Sequence, residues 1–295
     1  MKLVVFTKRS SDERQICYRI GVRLDDDRFA DLTPKFLANG LSHTDLLKCF
    51  DLERDFLTPA SYAIQSGAVD ILEREEVRLE SPVPKPGKIV CVGLNYRDHA
   101  EESGMAIPTS PIIFSKFSTA VIGPDTAIEL PADSSEVDYE AELAVVIGRR
   151  ARMVAAGDAM NYVFGYTNFN DVSARDLQFA DGQWQRGKSC DTFAPMGEFI
   201  ATCDEIADPH GLRIGFRLNG ETLQDSSTGQ MIFRIPELIE FISRTITLEP
   251  GDIIATGTPP GVGFARTPKV FLKDGDVAEV EIEGLGVLRN PIVQL

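Results

Sequence analysis

The chain has 295 residues, of which 43% are hydrophobic and 25% charged. That is ordinary globular usage and excludes overall disorder, collagen and coiled coil. Forty-five acidic residues against 30 basic ones leave a net charge of −15, which repels a phosphate backbone and excludes nucleic acid as an expected partner.

The same acidity suits a protein that collects a cation, or one that is merely well solvated. No stretch approaches the roughly 18 apolar residues of a membrane-spanning helix, so no membrane partner is expected. Five cysteines without a CxxC pair and three scattered histidines without HExxH argue against a disulfide framework and a Cys- or His-based zinc site.

Taken in chain order, Met1–Phe6 is too short an apolar run for a secretory signal and meets Thr7-Lys-Arg-Ser10 at once. It reads as the first strand of a cytoplasmic protein. Strands are predicted at Leu3–Phe6 and Ile16–Leu24, and Ser42-His-Thr-Asp45 reads as a capping box opening a short helix through Phe50. Residues 1–80 form a small unit. Ser81-Pro-Val-Pro-Lys-Pro-Gly87 is a proline-rich linker, and residues 88–295 carry a second core.

Beyond the linker, Ile89–Val92 is a predicted strand followed by Gly93-Leu-Asn-Tyr-Arg-Asp-His99. His99 and Glu102, three apart, share a face if the segment is helical. A carboxylate on one ring nitrogen leaves the other to take a proton, although an HxxE pair on a surface helix is also common. Glu101–Pro108 contains Gly104 and few large apolar residues, and reads as a mobile lid.

Glu136–Ile147 is the most informative segment. Side chains on a strand alternate faces, so Tyr139, Ala141, Leu143, Val145 and Ile147 fall on one side and Glu136, Asp138, Glu140 and Glu142 on the other. Two carboxylates ~4 Å apart repel by roughly 4 kcal/mol at an effective dielectric of ~20. A divalent cation reverses that cost; a wet sheet face is the alternative. The third ligand candidate is Asp171, placed between a predicted strand at Val163–Phe169 and a helical turn at Val172–Gln178. An Asp before a helix is also an ordinary N-cap. All-oxygen ligation selects Mg²⁺, with Mn²⁺ or Ca²⁺ possible.

Gln183–Ser189 presents Lys188 after a glycine in a polar loop. Leu212–Leu218 alternates and ends in the hairpin signal Asn219-Gly220. Pro236 opens a helix with Leu238, Ile239, Phe241 and Ile242 on one side. In Ala255–Gly263 the Thr258 hydroxyl and neighbouring N–H groups are candidates to hold a carboxylate, and the absent GKS/T ending excludes a P-loop. Val270–Leu272, a turn at Lys273–Asp276 and Val277–Ile282 read as strand, turn, strand. The fold class is α+β, with many antiparallel strands in a rolled or sandwiched sheet.

Gly93-Leu-Asn-Tyr-Arg-Asp-His99 with Glu102, Tyr139-Glu-Ala-Glu142, Asn170–Gln178, Arg186-Gly-Lys-Ser189 and Gly251–Pro259 together resemble the fumarylacetoacetate hydrolase family, in family order from about residue 85 to the C-terminus. The resemblance implies a mixed β-sandwich roll behind a small N-terminal α/β accessory domain, and a homodimer. It implies Mg²⁺ or Mn²⁺ on Glu140, Glu142 and Asp171, with His99 and Glu102 as a water-activating dyad on the lid. It places Arg175, Gln178, Lys188 and Thr258 at the oxo-acid end of a small-molecule substrate, with Lys188 stabilising an enolate. Asn95–Tyr96 offers no fourth carboxylate, so three acidic ligands are expected.

The expected reaction is metal-dependent hydrolysis of a C–C bond in a 2,4-dioxo acid: acylpyruvate, fumarylpyruvate or a sugar-derived 2,4-diketo-3-deoxy acid. The alternatives are oxaloacetate decarboxylation or tautomerisation, or isomerisation of an unsaturated dioic acid, at the same metal-enolate site. A cation-binding module without catalysis is the remaining alternative.

Overall fold

The computed structural model describes residues 1–9, 17–36, 43–102, 104–180 and 182–295. The first third holds β1 (Lys2–Lys8), β2 (Arg19–Arg23), β3 (Arg28–Asp31), α1 (Thr33–Phe36), α2 (His43–Cys49), α3 (Leu57–Gln65), β4 (Asp70–Glu73) and β5 (Val77–Glu80). Leu3, Val4, Val5 and Phe6 are buried on both faces of β1, as a central strand requires. Both predicted strands form, the second shorter. Ile16 and Ser42, at the predicted strand start and helix cap, lie outside the described residues.

The proline-rich stretch is irregular, and Val83 within it is fully buried in the common core. Beyond it come β6 (Ile89–Gly93), α4 (Arg97–Glu102), β7 (Ile112–Lys116), β8 (Val121–Ile122), β9 (Ile128–Leu130), β10 (Val137–Asp138), β11 (Ala141–Ile147) and β12 (Val163–Asn170). Next are β13 (Ser173–Ala174), α5 (Arg175–Ala180), α6 (Gln185–Lys188), β14 (Ala194–Pro195) and β15 (Ile200–Thr202). The chain closes with β16 (Arg213–Leu218), β17 (Glu221–Ser227), α7 (Ile235–Ser243), β18 (Ile253–Ala255), β19 (Val277–Ile282) and β20 (Gly286–Gln294).

An 11-stranded sheet runs β4-β3-β2-β1-β15-β12-β11-β18-β6-β7, with β5 also on β1. The β1–β15 pairing joins the N-terminal strands to the rest. Five strands, β17-β16-β19-β20-β9, form a second sheet. Parallel pairs, β18 with β6 and β20 with β9, make both sheets mixed. The sheets face each other where β11 and β12 meet β16, β19 and β20, and Tyr139 stacks on Phe216 at 3.9 Å between centroids. The result is the expected α+β class.

Three local readings are decided by backbone bonds. Asn219 and Gly220 both take positive φ (53° and 82°), the conformation a tight two-residue hairpin between β16 and β17 needs. Val270–Leu272 forms no strand: Val270 N–H bonds Gly263 O and Leu272 N–H bonds Val137 O, so β19 pairs with β16 and β20 instead. The predicted continuous strand at 136–147 is broken at Tyr139–Glu140. There Glu140 N–H goes to Asn170 Oδ1 and Ala141 N–H to Gln224 Oε1 rather than to a ladder.

Candidate metal and active site

Glu140 and Glu142 keep the shared face that a period of two gives them. That face is not wet, because β11 is buried on both sides. Asp171 follows β12 directly, and its backbone N–H bonds Glu140 O at 2.9 Å, which clamps the two carboxylate-bearing segments together. One carboxylate oxygen from each of Glu140, Glu142 and Asp171 lies within 4.8 Å of the others. Asp171 is not a helix cap, since α5 starts only at Arg175.

Asp138 leaves the acidic row. The break in the strand turns it toward Arg175, whose Nε and Nη2 lie 2.9 and 2.7 Å from Oδ2. The backbone N–H groups of Gly263, Phe264 and Tyr139 also donate to it, at 2.7, 3.0 and 2.8 Å. Glu136 is half-buried and apart from the cluster.

Cations already surround the remaining acids. Lys188 Nζ sits 2.8 Å from Glu140 Oε2 and 2.7 Å from Asp171 Oδ2. Arg175 Nη2 is 2.6 Å from Glu140 Oε1, and its Nη1 donates to Gln178 Oε1 at 3.0 Å. Burial pushes the Glu140 carboxyl up, but the Lys188 and Arg175 charges outweigh it and hold it at about 2. Burial lowers the Lys188 ammonium, yet Asp171 and Glu140 raise it above its ordinary value.

Glu142 is the exception. It accepts Gly257 N–H at 2.9 Å and has no cationic partner among the described residues. Burial, then the Asp171 and Glu140 charges, lifts its carboxyl well above the usual range. The donor set therefore fits a hard divalent cation: three buried carboxylates, one of them lacking a positive partner. Glu140, Glu142 and Asp171 are the residues that would hold such an ion, all three with buried carboxylates already gathered at one point.

The dyad lies on α4. His99 Nδ1 is 3.3 Å from Glu102 Oε2, and both Glu102 oxygens accept Gly261 N–H at 3.1 Å. The loop from Gly257 to Phe264 thus touches Glu142, Glu102 and Asp138 in turn, and it connects the dyad to the carboxylate cluster. In the predicted lid, Met105 and Ile107 are exposed, while Ser103 lies outside the described residues.

Thr258 is buried, and its Oγ1 accepts from Gln224 Nε2 at 2.9 Å, which leaves the hydroxyl proton to donate elsewhere. Of the N–H groups neighbouring Thr258, that of Gly257 is spent on Glu142. Arg175 is spent on Asp138, Glu140 and Gln178. Its contact with Gln178 Oε1 leaves the Gln178 amide N–H₂ as the donor without a partner at that end among the described residues.

Sequence reasoning missed Lys116. Its Nζ, buried at the end of β7, lies 2.5 Å from Asp171 Oδ1 and 2.9 Å from Val172 O. The available signal was the alternation in Ile112-Ile-Phe-Ser-Lys116, which puts a cation on the face of Ile112 and Phe114. Gln224 was missed too; it bonds Ala141 N–H, Thr258 Oγ1 and Pro259 O. Nothing in the local pattern around it singles it out.

A two-sheet roll enclosing a carboxylate cluster and a His–Glu pair defines a class of small-molecule enzyme. Residues 88–293 match the family model described as fumarylacetoacetate (FAA) hydrolase C-terminal, and the chain belongs to that family. It is 52% identical over 224 residues to the mitochondrial oxaloacetate tautomerase of Rattus norvegicus, covering 76% of this chain and 72% of the relative. A fumarylacetoacetate hydrolase from Exiguobacterium antarcticum superposes with a TM-score of 0.85 at 39% identity, over 100% of both chains. Maleylpyruvate hydrolase from Sphingobium sp. SYK-6, solved with manganese(II) and pyruvate, superposes at 0.82 with 32% identity, over 100% of this chain and 99% of that one. Among the described residues no helix is long and apolar enough to cross a membrane.

Proposed function

We propose that the chain interconverts enol and keto forms of an oxaloacetate-type 2-oxo acid, with Glu140, Glu142 and Asp171 holding Mg²⁺ or Mn²⁺. The buried three-carboxylate cluster carries this reading. The 52% identity to an oxaloacetate tautomerase supports tautomerisation over the hydrolysis expected from the motifs. When bound, the ion supplies a template and a Lewis acid for the carboxylate and 2-oxo oxygens of the substrate.

The chain's own groups supply the rest. The Gln178 amide and the Thr258 hydroxyl donate to the oxo-acid end. The Lys188 ammonium, close to both Glu140 and Asp171, balances enolate charge. His99 takes the C3 proton of the keto form on Nε2, because Glu102 holds Nδ1, and the enolate oxygen takes up a proton through water; the reverse transfers return the keto form. Keto and enol forms differ only in where that proton sits, so nothing else is consumed.

Hydrolysis of a 2,4-dioxo acid is the second reading, favoured by the manganese and pyruvate in the maleylpyruvate hydrolase structure. Here His99 takes a proton from water, the hydroxide adds to C4, and the C3–C4 bond breaks. The products are a carboxylic acid and a pyruvate enolate, which is protonated to pyruvate. Residues 1–80 as an accessory unit, residues 88–295 as the catalytic unit and a homodimer belong to the same proposal. Exposed Ile112 and Phe117 beside the β7 edge offer a second copy apolar surface.

The test measures oxaloacetate enol decay, oxaloacetate decarboxylation, and cleavage of acetylpyruvate, fumarylpyruvate and 2,4-diketo-3-deoxy acids, each with Mg²⁺ and with EDTA. Metal-dependent loss of the oxaloacetate enol without C–C cleavage supports the first reading. Cleavage of a dioxo acid without tautomerisation replaces it with the second.

A further inference from the structure

Asp171 is held by two buried ammonium groups, one on each oxygen: Lys116 on Oδ1 at 2.5 Å and Lys188 on Oδ2 at 2.7 Å. Their other partners differ. The second acceptor of Lys116 is the Val172 carbonyl, a backbone atom beside Asp171. The second acceptor of Lys188 is Glu140, another carboxylate of the cluster. A cation seated on the cluster therefore competes with Lys188 for both of its acceptors, and Lys116 keeps at least the Val172 carbonyl.

We propose that Lys116 is a positioning residue: it fixes the Asp171 carboxylate with Oδ2 turned into the cluster, and Lys188 is the ammonium that yields its place and turns to substrate. This rests on the reading of Glu140, Glu142 and Asp171 as a divalent-cation site. Lys116 is suited to the role by its origin. It ends β7, whose pairing with β6 fixes its backbone, and its side chain is 0% exposed. A lysine so anchored loses no further freedom when the carboxylate beside it is engaged. Outer groups that hold a ligand in place commonly change metal affinity 10–100-fold when removed.

The alternative role for Lys116 is charge alone, and the two roles predict opposite signs. Removing a positive charge next to a cation site strengthens cation binding if charge is all that matters. Removing a positioning bond weakens it. The experiment titrates Mn²⁺ into the full chain by calorimetry and follows its electron paramagnetic resonance line shape, for wild type, Lys116→Met, Lys116→Arg and Lys188→Met.

Lys116→Met is expected to weaken Mn²⁺ binding by about tenfold or more and to alter the line shape. Lys116→Arg, which keeps donors for both acceptors, recovers most of the affinity. Lys188→Met binds Mn²⁺ as tightly as wild type or more tightly, with kcat reduced and not KM alone. Should Lys116→Met not fold, Lys116→Gln carries the test, since it is neutral and one atom too short to serve both acceptors. Equal or tighter Mn²⁺ binding by Lys116→Met or Lys116→Gln overturns the positioning role. Failure of the wild type to bind Mn²⁺ overturns the cation site itself, and with it this inference.

Discussion

Arg175 and Asp138 form a buried ion pair in which two guanidinium nitrogens, at 2.7 and 2.9 Å, converge on one carboxylate oxygen. Burial works against the Arg175 charge, but Asp138 and Glu140 more than compensate and raise its pKa further. The other Asp138 oxygen accepts Gly263 N–H, so the pair ties α5 to the loop that also carries the Glu102 contact.

Removing Asp138 leaves the buried Arg175 guanidinium with Glu140 as its remaining carboxylate, so the loss should approach but not exceed the roughly 3–5 kcal/mol typical of a broken buried pair. Asp138→Asn is therefore expected to lose stability of that order in urea unfolding. The double variant Asp138→Asn with Arg175→Met should be no worse than the sum and is expected to be milder. Additive losses in the cycle would show that the two residues act independently.

Glu142 supplies the second prediction. Lacking a cation, its raised carboxyl keeps a proton that an arriving ion must displace. Mn²⁺ or Mg²⁺ affinity should accordingly rise with pH above the ordinary carboxylate range, with proton release visible as a buffer-dependent binding enthalpy. At ~100 times its dissociation constant the ion should add about 2.7 kcal/mol of stability. Glu142→Gln should abolish that gain while remaining at least as stable as wild type without metal. A full metal-induced shift in Glu142→Gln would remove Glu142 from the ligand set.

How much of this was legible follows the range of each interaction. Glu140 and Glu142 could be paired because a spacing of two is a local rule. Asp171 could be added because strand ends are marked locally, and Asn219-Gly220 is a local turn signal. The departure of Asp138 was hidden, because it depends on Arg175 37 residues away and on N–H groups of a loop 125 residues away. Lys116 reaches Asp171 across 55 residues, although β7 and β12 stand four positions apart in one sheet, so no local pattern and no strand pairing marks the contact. The choice between a metal site and a wet sheet face stays open in the sequence for a related reason. Alternation shows which side chains share a face but not what covers it, and here Lys188 and the Gly257 loop do.

The His99–Glu102 contact makes a prediction about proton position. A carboxylate facing Nδ1 keeps the proton there and leaves Nε2 basic. His99→Ala should lower kcat by roughly 10²–10⁴. Glu102→Gln should come close to the same loss, because an amide N–H₂ directed at Nδ1 forces the ring proton onto Nε2. Both variants should keep wild-type Mn²⁺ affinity, as neither residue is in the carboxylate cluster. An unchanged rate in His99→Ala would take the ring out of the proton transfer.

His210 tests the pH dependence of the fold away from the site. Its Nε2 accepts Ile235 N–H at 3.2 Å, at the first turn of α7, so the neutral ring satisfies a helix-start donor. Burial, then the Arg234 charge, lowers its pKa, and Asp208 and Glu237 oppose this without reversing it. The unfolded chain, with an ordinary histidine near 6.5, then binds the proton more readily than the folded one. The contribution of His210 is fully present above about pH 6.5 and is lost as pH falls through the lower folded value. His210→Gln keeps an acceptor but does not titrate, so its melting temperature should decline less than that of wild type from about pH 7.5 to pH 5. Parallel declines in the two proteins would assign the acid sensitivity to other groups.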